Sequence, residues 1–159
     1  MNDPFALPPR LWFGVLCQGL FSDPVGRITL QGVLNQVAFV SPPKETGVPP
    51  HAALNVVLAV GFSEGVGNFN AQVDLLDIDG NVLWQRPSGE WEFELGPGEK
   101  NAAVLAEQVQ YWITQSGIYH FRIRLAPTQE EYQILFEVAE KIGPAQEAKA
   151  GPPGEPPSA

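Results

Sequence analysis

The stretch GIYHFRIRL, residues 117–125, alternates apolar and polar side chains without interruption. Successive side chains of a β-strand point to opposite faces, so a period of two predicts a half-buried strand. We therefore expect Tyr119, Phe121 and Ile123 in the core and the polar side chains between them at the surface.

The same alternation recurs on both sides of this stretch, at Phe69–Leu75, Trp91–Leu95 and Tyr132–Val138. Other runs are apolar at consecutive positions, as is typical of strands covered on both faces; they are Leu11–Cys17, Val33–Val40 and Leu54–Phe62. The chain has 16 glycines and 16 prolines, many of them in turn-like clusters between the runs. The pattern predicts an all-β fold, a single antiparallel two-sheet β-sandwich of eight or nine strands.

One connection predicts a tight hairpin. Asp79-Gly80 tolerates the positive φ angles of a two-residue type I′ turn, which would join strands at Leu76 and Leu83. Asp77, Asp79 and Asn81 also suggest the opening of a calcium loop, but Gly and Glu do not follow at its sixth and twelfth positions. We therefore interpret the acidic side chains as part of a hairpin turn.

The segment 101–115 is compatible with either a helix or a strand. A helix would place Leu105, Val109, Trp112 and Ile113 on one face, whereas a strand would place Val109, Tyr111 and Ile113 on one face. We favour a strand for the second half of the segment.

The length of 159 residues predicts one domain. We expect an N-terminal arm at residues 1–9, the β-sandwich at 10–142 and a tail at 143–159. The tail is rich in Pro, Ala and Gly and contains no large apolar residue, so we expect it to be disordered.

Charge and cysteine content exclude several classes of function. The formal net charge is −9, which repels phosphate backbones, so we expect no nucleic-acid partner. The one cysteine, Cys17, can form neither an internal disulfide nor a four-ligand zinc site with the two histidines, which favours the reducing cytoplasm. No apolar run approaches the roughly 18 residues of a membrane span, so we expect no membrane association. We also expect no cofactor and no metal.

Residues for catalysis are few. Cys17 lies in an apolar run, His51 in a Pro-rich loop and His120 on an outward strand position. The acidic row Glu90, Glu92 and Glu94 could supply a carboxylate pair, but an open strand face lacks the burial that raises a general acid's pKa. We therefore expect that the chain is not an enzyme; a small hydrolase is one alternative.

His120, Arg122 and Arg124 form a basic strip, which contains two of only nine Lys and Arg residues. Such a strip either pairs across strands with an acidic row such as Glu90–Glu94 or meets an acidic partner. We retain the strip as a candidate partner-binding site.

Trp112 is the second candidate. If its segment is a strand, Trp112 points away from Tyr111, with Gln108 and Gln110 beside it. An exposed aromatic side chain with neighbouring amides suits a protein partner or a stacked sugar ring.

Three stretches carry a family resemblance. Val15–Cys17 and Asp23–Val33, the latter with Gly-Arg-Ile-Thr-Leu-Gln-Gly-Val, resemble the Cys-bearing first strand and the second strand of a group of uncharacterised bacterial proteins. Leu76–Leu83 is similar to the group's central hairpin, and Gly117–Ile123 to its late Gly-x-Tyr-x-Phe strand. The resemblance spans residues 10–141 and implies a β-sandwich without an assigned activity. Gly-x-Tyr-x-Phe strands are common in immunoglobulin-like sandwiches, so we expect that type.

The sequence thus predicts a non-enzymatic binding module that contacts another protein. A carbohydrate-binding sandwich that uses an exposed Trp is the main alternative. Neither the identity of the partner nor the oligomeric state follows from the sequence.

Overall fold

The computed structural model describes residues 6–40, 52–98 and 101–141, and the regular elements in these ranges are all β-strands. The all-β prediction is confirmed, but eleven strands exceed the expected eight or nine. They are β1 (Arg10–Cys17), β2 (Gly19–Ser22), β3 (Ile28–Gln31), β4 (Gln36–Val40), β5 (Ala52–Ser63), β6 (Gly67–Leu76), β7 (Val82–Gln85), β8 (Trp91–Leu95), β9 (Ala102–Ile113), β10 (Gly117–Ala126) and β11 (Glu131–Lys141). The additional strands include four-residue segments with little apolar periodicity. The described residues contain no helix that could span a membrane.

The strands form two main sheets and a separate hairpin. One sheet has the order β1-β5-β9, and β2 pairs with β3 in the hairpin. The larger sheet has the order β4-β11-β10-β6-β7, and β8 also pairs with β6. The β4–β11 pair is parallel, so the expectation of antiparallel pairing throughout is wrong. Alternation along a strand reports which faces are buried and carries no information on the direction of its neighbour.

Both sheets bury side chains in one core. Phe62 of β5 stacks on Phe93 of β8 at a centroid distance of 5.2 Å and meets Tyr132 of β11 at 5.6 Å. The core residues expected from the 117–125 stretch are buried: Tyr119 is 6% exposed, and Phe121 and Ile123 are 0% exposed. The hydroxyl of Tyr119 donates a hydrogen bond of 2.6 Å to the carbonyl of Gln115, at the entry to β10.

The predicted hairpin after β6 exists, but its turn is longer than expected. Residues 77–81 separate β6 from β7, and the N–H of Asp77 donates to the carbonyl of Asn81. Only Gly80 in this turn has a positive φ, of 84°, so the type I′ prediction is wrong. The Asp77 carboxylate accepts from the backbone N–H of Asp79 (3.0 Å) and of Asn81 (2.9 Å), and these bonds hold the wider loop.

The turn of the β2–β3 hairpin has the same construction. The Asp23 carboxylate accepts from the N–H of Val25 (3.0 Å) and of Arg27 (2.8 Å), and Gly26 takes a φ of 82°. Asp-x-x-Gly-x is therefore a five-residue turn used twice, because a short carboxylate can satisfy two N–H groups of its own loop.

The ambiguous segment is a strand throughout. β9 pairs with β5 over twelve residues, from Ala102 opposite Ser63 to Ile113 opposite Ala52, without a register shift. The helical alternative is wrong because pairing with the long central strand satisfies the backbone along its entire length.

The described part of the expected arm, residues 6–9, lies against the domain. Leu7 pairs with Val66 through two backbone hydrogen bonds, and the Tyr132 hydroxyl donates to the carbonyl of Pro9 at 2.7 Å. The expected tail at 143–159 and His51 lie outside the described residues.

Candidate functional site

The basic strip lies on the outer face of the larger sheet, as the alternation predicted. His120 is opposite Leu76 of β6 and Leu135 of β11, and Arg122 and Arg124 follow at the next outward positions of β10. We call this surface the polar face, since its strands present mostly charged and amide side chains.

A buried carboxylate lies beneath the strip. Asp74 of β6 is 0% exposed and accepts hydrogen bonds from Arg122 (2.7 Å), Arg124 (3.1 Å) and the Gln85 side-chain amide (3.0 Å). The cross-strand partner of the strip is therefore Asp74, and the suggested pairing with the row Glu90–Glu94 is wrong. β6 lies between β10 and β8 and supplies its own carboxylate to the arginines.

This ion pair fixes the guanidinium groups on the sheet. The side chains of Arg122 and Arg124 are 22% and 42% exposed, so Arg124 keeps the more accessible positive charge. A buried carboxylate needs such partners, because an isolated buried charge is strongly unfavourable. The arginines thus have a structural role, and their binding of a partner stays a prediction.

The outer face of the β1-β5-β9 sheet has a different character. By the strand register, the outward positions of 13–17, 55–63 and 102–112 include no Asp, Glu, Lys or Arg. They are Phe13, Val15, Cys17, Asn55, Val57, Ala59, Gly61, Ser63, Ala102, Val104, Ala106, Gln108, Gln110 and Trp112. We call this side of the sheet the apolar face, although Cys17, Ala59 and Gly61 on it are buried.

A groove opens between the apolar face and the β2–β3 hairpin. Its volume is about 700 Å³, which is within the range of small-molecule pockets. The lining is largely apolar and consists of Trp12, Phe13, Gly26, Arg27, Ile28, Leu30, Ala102 and Val104. Trp12 is 66% exposed and Ile28 41% exposed, so these side chains remain in water.

The position of Trp12 results from a bulge in β1. The register with β5 shifts between Leu11 and Phe13, which leaves Trp12 without an opposite residue. The Trp12 ring meets the Phe13 ring edge-on at 5.5 Å. Phe13 in turn covers Gly61, where a Cβ atom would overlap its ring. A bulge of this kind re-aims a side chain outward.

Sequence reasoning missed Trp12 because Leu11–Cys17 is apolar at consecutive positions, which is typical of a strand covered on both faces. β1 is instead an edge strand, with β5 as its one neighbour in the sheet. The sequence carries no signal for the bulge, because Trp12 in a regular strand would face the core, as apolar side chains usually do.

Trp112 lies on the apolar face, at the end of β9, and is 63% exposed. It lines a recess of about 240 Å³ together with Leu54, Asn55, Gln110 and Tyr111. The predicted site residues are therefore separated: the strip is on the outer face of one sheet and Trp112 on the outer face of the other.

Groups that could carry chemistry are not brought together in the part of the chain that the structure describes. It contains no cluster of three or more His, Cys, Asp or Glu side chains that could hold a metal. Cys17 is 0% exposed, and burial raises the pKa of its thiol, which keeps it in the unreactive protonated form.

Comparison with known proteins adds a family. No curated protein is detectably similar to the chain. The model of a family of unknown function (DUF6941) matches residues 13–135, which include β1 to β10 and the first half of β11, apart from three residues at the start of β1. Since this match covers most of the 159 residues, the chain belongs to that family.

Proposed function

We propose that the chain is a non-enzymatic protein-binding module built on an immunoglobulin-like β-sandwich. β5 and β9 take the places of the neighbouring strands B and E, and β6, β10 and β11 those of C, F and G. Tyr119 supports this assignment, because a tyrosine at the start of strand F that bonds back to an upstream carbonyl is typical of the fold. The lone buried Cys17 fits a reducing compartment, so we place the module in the cytoplasm, without a cofactor, nucleic acid or membrane as partner.

The apolar face is the observation that carries the binding proposal. The outward strand positions of this face carry no charged side chain, and Arg27 is the one charged residue among the described residues that line the groove, although the chain has a net charge of −9. Exposed apolar surfaces rimmed by polar residues commonly bind protein partners, and Trp is enriched at their centres. We propose that the groove at Trp12 and Ile28 binds an apolar segment of another protein.

A pair of matched variants tests this proposal. Trp12→Ser removes an exposed aromatic side chain from the groove, and Leu135→Ser removes an exposed apolar side chain, 62% accessible, from the polar face. Neither is expected to unfold the domain, since both side chains are largely in water.

The measurement is quantitative capture of proteins from the native host, followed by calorimetric titration of the purified partner. We expect Trp12→Ser to weaken binding by about tenfold or more, as for a central interface aromatic, and Leu135→Ser to leave it unchanged. Equal binding by all three proteins would place the interface elsewhere, and loss with Leu135→Ser alone would move it to the polar face.

Carbohydrate binding is the second candidate, and the recess at Trp112 favours it. An exposed indole beside the amides of Asn55 and Gln110 offers a stacking surface and hydrogen-bonding groups for a sugar. A sugar ligand should quench Trp fluorescence in a glycan panel and fail to do so in Trp112→Ala. Quenching that persists in this variant would exclude Trp112 as the platform.

A further inference from the structure

The outer edge of β9 is unpaired in the part of the chain that the structure describes. β9 pairs with β5 on one side, and none of the described strands pairs with its other side. At twelve residues it is about twice the usual strand length. A strand edge of this length presents a row of unpaired N–H and C=O groups, which can bind a further strand.

The other strand edges among the described residues are short or interrupted. β4, β7 and β8 have only five, four and five residues. β1 carries the bulge at Trp12, and Leu34 bridges to it at Leu16. β9 contains no Pro, no Lys, no Arg and no register shift, the features by which proteins protect an edge from pairing.

The immunoglobulin-like arrangement explains why this edge is open. In that fold a strand D lies beside strand E, the place that β9 takes. Here the strand before β9 in the chain, β8, pairs with β6 of the other sheet instead. The place beside β9 is therefore one that a strand normally fills.

Charge favours a second copy of this acidic chain at this edge. β9 carries a single charged residue, Glu107, and Arg86 neutralises it through a hydrogen bond of 2.7 Å. Glu107 is also mostly buried, with 16% of its side chain exposed. Two chains of net charge −9 therefore meet little like-charge repulsion if they pair along β9.

We propose that two copies pair β9 to β9 in an antiparallel manner, about a two-fold axis at Gln108. This pairing joins the two three-stranded sheets into one six-stranded sheet. This register places Val104 opposite the second copy's Trp112, and Leu105 opposite its Tyr111. An axis at Glu107 would instead place two carboxylates opposite each other, which is unfavourable. The proposal concerns the strand edge and does not depend on partner binding in the groove.

Residues 106 and 110 provide a sharp test, because they are opposite one another in this register and both are exposed. The double variant Ala106→Lys with Gln110→Lys sets like charges against each other twice. The matched double variant Ala106→Lys with Gln110→Glu sets opposite charges in the same places.

The full chain and both variants are compared by sedimentation equilibrium across the micromolar range, with circular dichroism as the check on folding. We expect a dimer for the parent, about tenfold or more weaker association for the Lys/Lys variant, and retained association for the Lys/Glu variant. High salt should reduce the difference between the two variants.

Two results would overturn the proposal. One is a monomeric parent at all concentrations, which would assign the edge to a strand of another protein or leave it unused. The other is equal association by the two variants, which would place any dimer contact away from β9. Trp12→Ser separates this inference from the proposed function, since we expect it to lose the partner and keep the dimer.

Discussion

The outer faces of the two sheets differ in the charged side chains that they carry. The polar face contains a buried carboxylate, Asp74, which is satisfied by Arg122, Arg124 and Gln85. The apolar face has no charged outward position between Phe13 and Cys17 or along β9, and it leaves Trp12 and Trp112 largely in water.

Because of this difference, the charged residues that stand out in the sequence indicate less about binding than the exposed apolar residues do. Charged side chains attract attention in a sequence, yet the arginines of the strip are bound within their own sheet. On the apolar face, Trp12 and Trp112 are mostly exposed, and binding could bury this apolar surface. Variants on each face can test this contrast.

The largest effect is expected at Asp74. Asp74→Ala removes the shared acceptor and leaves two guanidinium groups without their carboxylate, which should lower the free energy of unfolding by about 3 kcal/mol. Urea denaturation measures this change. Glu92→Gln, an exposed change on the same sheet, is the control and should cost less than about 0.5 kcal/mol. A loss for Asp74→Ala as small as that of the control would mean that the arginines are satisfied by water.

A smaller effect is expected on the apolar face, at Gly61. Gly61→Ala places a methyl group where the Phe13 ring lies, and the resulting overpacking should cost about 1 to 3 kcal/mol. In a Phe13→Ala background the same change should cost less, so a double-mutant cycle isolates the contact. Additive losses would show that the ring does not restrict this position.

A substitution at Tyr119 tests the core that lies between the two sheets. Tyr119→Phe removes the hydrogen bond to the Gln115 carbonyl and should cost about 1 kcal/mol at neutral pH. Burial raises the pKa of the Tyr119 hydroxyl above its ordinary 10.0. The stabilisation is therefore complete below that pH and is lost as the pH rises through the raised pKa, so the two proteins should converge there. A difference that stays constant with pH would contradict this.

The smallest effect is expected at the two Asp-x-x-Gly-x turns, one in the β2–β3 hairpin and one between β6 and β7. Hydrogen bonds lower the pKa of both carboxyls, chiefly from the Asn81 side chain at Asp77 and from the Arg27 backbone at Asp23. Their stabilisation is present above the ordinary pKa of 3.8 and is lost as the pH falls through the lowered value. We expect Asn81→Ala to raise the pKa of Asp77 and leave that of Asp23 unchanged in an NMR titration. A shift at both carboxyls would indicate a change beyond the turn.

Local patterns predicted the strands and the buried side chains well. The alternation at 117–125 identified β10 and its core residues, and the other long runs correspond to β1, β5, β6 and β11. The sequence also located the hairpin after β6, although its turn is longer. These predictions succeeded because the alternation of side chains follows from the backbone geometry of a single strand.

The candidate site depended on which strands are neighbours. Asp74 and Arg122 are 48 residues apart, and only the β6–β10 pairing brings them together. The alternation placed Arg122 outward but did not identify its partner, so the row Glu90–Glu94 was an equally consistent choice.

The sequence by itself determined the fold class, the position of most strands and the sidedness of their residues. Only the tertiary structure decided the order and direction of the strands, the bulge at Trp12, the burial of Asp74 and the open edge of β9. The physical reason is that sidedness is fixed within a few residues of one strand, whereas pairing depends on contacts between segments that are distant in the chain.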